Sequence, residues 1–247
     1  MSIACPWPLV EGLALCQSVD IYCERTSALF DAEPLNATSN LAFIVAAWLA
    51  QRAYARLPDE RRSGLLSALV ATLAVVGFGS FLFHTIATQW AEWGDVIPIL
   101  VFVLLYLWLA LTRFFLWPVW RACIAVLVFL GLTLWLETGV PSEVLWGGAM
   151  YLPSLLALLI VGAALYHQRH AAGKTILAAT GTFLASFAAR TADMPLCSAV
   201  PFGTHFMWHV LNAIVLYLLI RAAVVEAAHG DPQRAAAGPL IFRRSAD

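Results

Sequence analysis

Seven apolar stretches separated by short polar turns dominate the chain: 36–55, 64–87, 95–114, 117–136, 145–167, 175–192 and 204–224. A bilayer core about 30 Å thick is crossed by ~20 predominantly apolar residues in helical form. The pattern therefore predicts an all-α integral membrane protein, a bundle of seven transmembrane helices. The sixth stretch is rich in Ala, Thr and Ser and is expected to be shielded by its neighbours. Pro98 and Pro153 fall inside the third and fifth stretches and are expected to kink those helices. The short connections leave no room for a second domain. An N-terminal segment over 1–35 leads into one bundle over 36–228, followed by a tail over 229–247 expected to be flexible. Residues 1–35 are too interrupted by Pro to span, and they lack the basic start of a cleavable signal.

Composition agrees with the pattern. The chain is 62% hydrophobic and 12% charged, with a mean hydropathy of +0.81, against roughly 25% charged in soluble domains. A net charge of −1 offers no basic face to nucleic acid. The cations set an orientation. Arg52, Arg56, Arg61, Arg62, Arg113, Arg121, Arg169, Lys174, Arg221, Arg234, Arg243 and Arg244 all fall on one side of the seven-span trace, and only Arg25 and Arg190 on the other. Because basic turns stay in the cytosol, the N-terminus is expected outside and the C-terminus in the cytosol. A bacterial inner membrane is favoured, with an endoplasmic reticulum or Golgi membrane otherwise. Trp90, Trp93, Trp117 and Trp120 flank spans and read as interface anchors.

Against this background three histidines stand out: His84 late in the second stretch, and His205 with His209 opening the seventh. An ionisable group inside a membrane is costly and marks function. The i, i+4 pair shares one helix face. On the seven-span trace Ser80, His84, Asp95, His205 and His209 all reach one depth, in the outer half of the bundle. Catalytic zinc takes three protein ligands and keeps a fourth position for water. His84, His205 and His209 supply that set, Asp95 is the candidate base or partner of an imidazole, and Ser80 is placed to steady an oxyanion. Haem is disfavoured, because two imidazoles on one helix face crowd one side of a porphyrin. The residues alone thus point to a membrane-embedded zinc hydrolase.

The segments YCERTSALFDAEPLNATSN, GSFLFHTIATQWAEWGD and DMPLCSAVPFGTHFMWH resemble the alkaline ceramidases, in the wider group of seven-helix membrane hydrolases that includes adiponectin-receptor relatives. The likeness rests on the spacing of Ser80, His84 and Asp95 with the downstream His-x3-His. The middle of the chain is similar only in hydropathy. The resemblance implies zinc on His84, His205 and His209, with Ser80 and Asp95 serving hydrolysis of the amide of a ceramide. It also implies a calcium site on Glu24 and Glu33, with Asp20 or Asp31 compensating where the match is partial: Thr26 stands where the family tends to have Asn, Ile21 where it has Asp, and the Glu24–Glu33 spacing is shorter. Finally, it pairs Cys23 with Cys197. Cys5 and Cys16 lie on the same side, paired or free, and Cys123 reads as a small core residue.

Three functions fit this reading: an amidohydrolase for a ceramide-like membrane lipid, a hydrolase of the same architecture for another lipid amide or ester, and a non-catalytic receptor or transporter. A retinal protein is disfavoured because the only Lys, Lys174, lies at a loop edge. A transporter is expected to carry charged groups along a path through the bilayer, and the cytosolic half lacks them. Arg190 and Asp193 read as an i, i+3 ion pair, and His167, His170 and His229 as solvated. Oligomeric state is not encoded in any motif.

Overall fold

The computed structural model describes residues 14–229; Cys5 and the tail beyond His229 lie outside them. The described residues form helices and contain no strand. A short helix α1 (Pro34–Ser39) is followed by α2 (Leu41–Ala55), α3 (Gly64–Ile86), α4 (Gln89–Leu109), α5 (Val119–Gly139), α6 (Leu152–His167), α7 (Ala172–Leu196) and α8 (His205–His229). The helices close a ring, with α2 packed on both α3 and α8, α3 on α4, α4 on α5, α6 on α7 and α7 on α8.

Five segments are long and apolar enough to cross a membrane: Gly64–Ile86, Gln89–Phe114, Val119–Gly139, Ala149–His167 and His205–His229. The protein is accordingly a multi-pass membrane protein. The other two long helices depart from that pattern for local reasons. α2 is cut to 15 residues by a turn at Asn40, whose side-chain amide donates to the Asn36 carbonyl at 2.8 Å. α7 carries Lys174, Arg190 and Asp193 and buries Arg190 and Asp193 against its neighbours. The expected shielding of the sixth stretch is what the packing of α7 between α6 and α8 provides.

Two proline expectations come out differently. Pro98 lies within α4 as expected. Pro153 does not kink a helix: it occupies the first turn of α6, where its missing N–H had no intrahelical partner to lose. The residues before it form short 3-10 turns. α4 also begins at Gln89, six residues before Asp95. Ala87, left-handed at φ 48°, ends α3 by donating its N–H to the Phe83 carbonyl, and extended Thr88 starts the next helix. Asp95 therefore sits in the second turn of α4.

α3 and α4 meet at glycine. Pro98 offers no N–H to the Gly94 carbonyl one turn before it, and that carbonyl lies against the Cα of Gly79, where any β-carbon would overlap it. Small residues let membrane helices approach this closely, and the crossing sets Ser80 and Asp95, the next residues along, beside each other. Gly79→Ala must push backbone from backbone. Overpacking costs about 1–3 kcal/mol, and with no flexible side chain to yield, the upper end is expected. The check is a lowered thermal midpoint in detergent together with lost turnover; wild-type values for both would refute the crossing as described.

The N-terminal segment folds back over this end of the bundle. Ser18 pairs with Thr88 in an antiparallel bridge, Val19 N–H donates to the Ala87 carbonyl at 2.9 Å and Gln89 N–H to Gln17 at 3.0 Å. A disulfide joins Cys23 to Cys197, as the resemblance implied, and Cys16 is also disulfide-bonded. Cys123 is free and exposed on α5, so it is not the core residue expected.

Candidate metal centre

Each imidazole is delivered by a different device. His84 lies in the last turn of α3 and is fully buried. His205 opens α8. The Asp193 carboxylate, through Oδ1, accepts the Thr204 N–H at 2.6 Å and the His205 N–H at 2.9 Å, and its Oδ2 accepts the Cys23 N–H at 2.9 Å. One buried carboxylate thus satisfies the open amides of a helix start and ties α7, α8 and the N-terminal segment together. Gly203, at φ 65°, passes so close to Asp193 that a side chain there would overlap the carboxylate. His209 follows one turn into α8.

The three rings converge. His84, His205 and His209 are all buried, and one nitrogen of each lies within 4.8 Å of the others. Ring centroids are 4.6 Å apart for His84–His209, 4.7 Å for His205–His209 and 5.2 Å for His84–His205. The surrounding hydrogen bonds settle which nitrogens of His84 and His209 face inward. Glu33 Oε2 accepts from His84 Nδ1 at 2.6 Å, which leaves Nε2 as a lone-pair nitrogen. Burial alone would raise the Glu33 pKa, but the hydrogen bonds from His84 and Asn36, with the Arg25 guanidinium beside it, hold it below the usual carboxylate range. Glu33 therefore stays ionised and keeps that tautomer. Ser39 Oγ donates to the Asn36 carbonyl at 2.8 Å, so it accepts from His209 Nδ1 at 2.7 Å. His209 Nε2 then faces the centre, 3.5 Å from Ser80 Oγ. His84 Nε2 and His205 Nδ1 are buried with no protein partner.

Buried polar atoms without partners are rare and call for a ligand. Two orphaned imidazole nitrogens beside a third lone pair are a donor set for a transition metal, and hydrogen bonds on the far side of the ring are what a ligating imidazole needs. The residues present fit a metal ion. Asp95 and Ser80 complete the site: the α3–α4 crossing at Gly79 and Gly94 sets the carboxyl beside the Ser80 hydroxyl, and Asp95 Oδ1 is buried with no partner. All five residues singled out in the sequence therefore meet at one end of the bundle.

Tyr22, beside these residues, carries no sequence signal of its own. It stacks on His205, with centroids 3.7 Å apart. Arg190 is not paired with Asp193; it donates to the Trp146 carbonyl at 2.8 Å and lies over the rings of Tyr151 and Trp208. The proposed calcium ligands are also engaged elsewhere. Glu24 accepts the Leu35 and Asn36 amides at 2.7 and 2.8 Å, opening α1. Glu33 holds His84, and Asp20 and Asp31 are both exposed. Away from the site, His170 is not solvated: its Nε2 is 3.0 Å from Glu226.

An apolar cavity starts beside the imidazoles and runs down the bundle. Phe43 and Trp208, next to His209, form its upper wall, and Phe102, Val161, Leu216 and Leu219 line it further down.

The family model for ceramidase matches residues 18–243, nearly the whole chain. Comparison with curated proteins gives no match.

Proposed function

The chain belongs to the ceramidase family, and on that premise we propose that it is a zinc-dependent intramembrane amidase cleaving ceramide to a sphingoid base and a fatty acid. The observation that carries this reading is the set of three buried imidazoles, two of them with a nitrogen that no protein group satisfies. His84, His205 and His209 would hold the ion. Three neutral ligands would leave it its full charge, and bound zinc would supply a Lewis acid and a water acidified to a pKa of about 7.

The chain's own groups supply the rest. Ser80 Oγ, one helical turn before His84, donates to the oxygen of the carbonyl under attack as charge builds there. Asp95 accepts the proton of the attacking water and returns it to the leaving nitrogen, so that water adds across the C–N bond and acid and amine separate. The cavity below takes the acyl chain, and its Phe43, Phe102, Val161 and Leu216 walls suit a saturated hydrocarbon.

The full reading is a seven-span bundle in which α2 and α7 also cross. The arginine-rich turns face the cytosol and the site lies near the opposite face, periplasmic in a bacterial inner membrane. Zinc-loaded protein in mixed micelles should release fatty acid and sphingoid base from ceramide in equal amounts. Release only from ester lipids would assign the same machinery to another substrate, and no release from any acylated lipid would refute the hydrolase.

A further inference from the structure

The calcium site implied by the family resemblance does not fit this chain. Calcium takes about 6–8 oxygen ligands, several of them carboxylate. Both Glu24 oxygens accept backbone amides. Glu33 Oε1 accepts from Arg25, and its Oε2 is shared by His84 and Asn36. Asn36 and Asn40 each keep one side-chain oxygen without a partner, and these are neutral.

A cation is already in place. The Arg25 side chain is 4% exposed, and all three of its nitrogens are used. Nε meets Glu33 Oε1 at 2.5 Å, Nη1 donates to the Ser27 carbonyl at 3.2 Å, and Nη2 donates to the His84 carbonyl at 3.1 Å. Arg25 thus touches His84 twice over: directly at its carbonyl, and through Glu33 at its ring.

We propose that the Arg25 guanidinium is a built-in cation that takes the place of calcium. It holds the N-terminal segment on the bundle and fixes Glu33, and through Glu33 it aims His84 at the metal, so the protein needs no calcium to keep its zinc. Arg25 is a positioning residue, and this role rests on reading His84 as a zinc ligand. The geometry calls for arginine. A planar fork reaches a carboxylate with one arm and a backbone carbonyl with another, whereas a lysine ammonium is a single point charge. Loss of the charge would leave Glu33 buried and uncompensated.

The test begins with full-length wild type in detergent, so that it does not depend on a variant folding. Titration to millimolar calcium should give no saturable heat, no change in thermal midpoint against a calcium chelator, and no change in zinc content. Stoichiometric calcium binding that raises the midpoint would overturn the proposal, whatever the zinc result. If calcium is without effect but the wild type holds no zinc, the zinc reading fails and the internal cation remains. Arg25→Lys and Arg25→Gln add the link to His84. Weakened support behind a metal ligand typically costs 10–100-fold in affinity. Arg25→Lys, which keeps the charge beside Glu33, should lower the midpoint less than Arg25→Gln while its zinc dissociation constant still rises by about that factor, with Arg25→Gln at least as impaired. Wild-type zinc affinity in both variants would refute the positioning role.

Discussion

His205→Ala is expected to strip the protein of its zinc and its turnover together while leaving the fold standing. His205 is 1% exposed, and its Nδ1 has no protein partner. A third imidazole is the difference between a complete three-ligand set and two donors on separate helices. The start of α8 survives the change, because Asp193 binds the backbone N–H of His205 and not its ring, and the Cys23–Cys197 disulfide still holds the segment above. The ring's stacking on Tyr22 is lost, a modest packing defect. Zinc per chain, thermal midpoint and ceramide turnover measured on one preparation separate these effects. A folded variant with wild-type zinc would remove His205 from the ligand set.

Asp95→Asn should do the opposite to the metal. The amide has the size of the carboxylate and keeps its place beside Ser80, but it cannot take a proton from water. No imidazole bonds to Asp95 among the described residues, and His84 is held from its far side by Glu33. Zinc content should therefore stay near wild type while turnover falls about 10²–10⁴-fold, the usual contribution of general acid–base catalysis. Wild-type rates would place Asp95 outside the chemistry. Zinc lost in parallel with rate would make it a ligand or a support of one.

The residues that announce themselves in the sequence do so by being out of place. An imidazole in an apolar stretch is conspicuous, and His205 with His209 at i, i+4, or His84 one turn after Ser80, can be assigned to a helix face before any fold is known. What holds those rings is not visible in this way. Glu33 lies 51 residues from His84, in a segment with no periodicity that is brought to the bundle by long-range contacts such as the Ser18–Thr88 pairing and the Cys23–Cys197 disulfide. Read locally, Glu24 and Glu33 are two acids suited to a hard cation. Folded, one opens a helix and the other orients an imidazole. The Arg190–Asp193 spacing misleads similarly. Unpaired amides at the start of α8 draw Asp193 away, and Arg190 turns to a carbonyl and two aromatic faces.

The helix boundaries follow the same logic. Hydropathy locates α3, α5 and α8 because their apolar runs coincide with the helices. It misses the first turns of α4, where Gln89, Glu92 and Asp95 break the apolar run while Thr88 and Ala87 set the helix start. It extends α6 backwards over residues whose left-handed Leu145 and Trp146 form 3-10 turns. Backbone conformation of that kind has no hydrophobic signature.

Elemental analysis of detergent-purified wild type beside His84→Ala, on the same preparations offered ceramide, bears most directly on the zinc amidase. Equimolar zinc with ceramide cleavage in the wild type, both lost in the variant, is the predicted result. A folded, ceramide-cleaving wild type with no bound metal, or a variant that keeps its zinc, would contradict it.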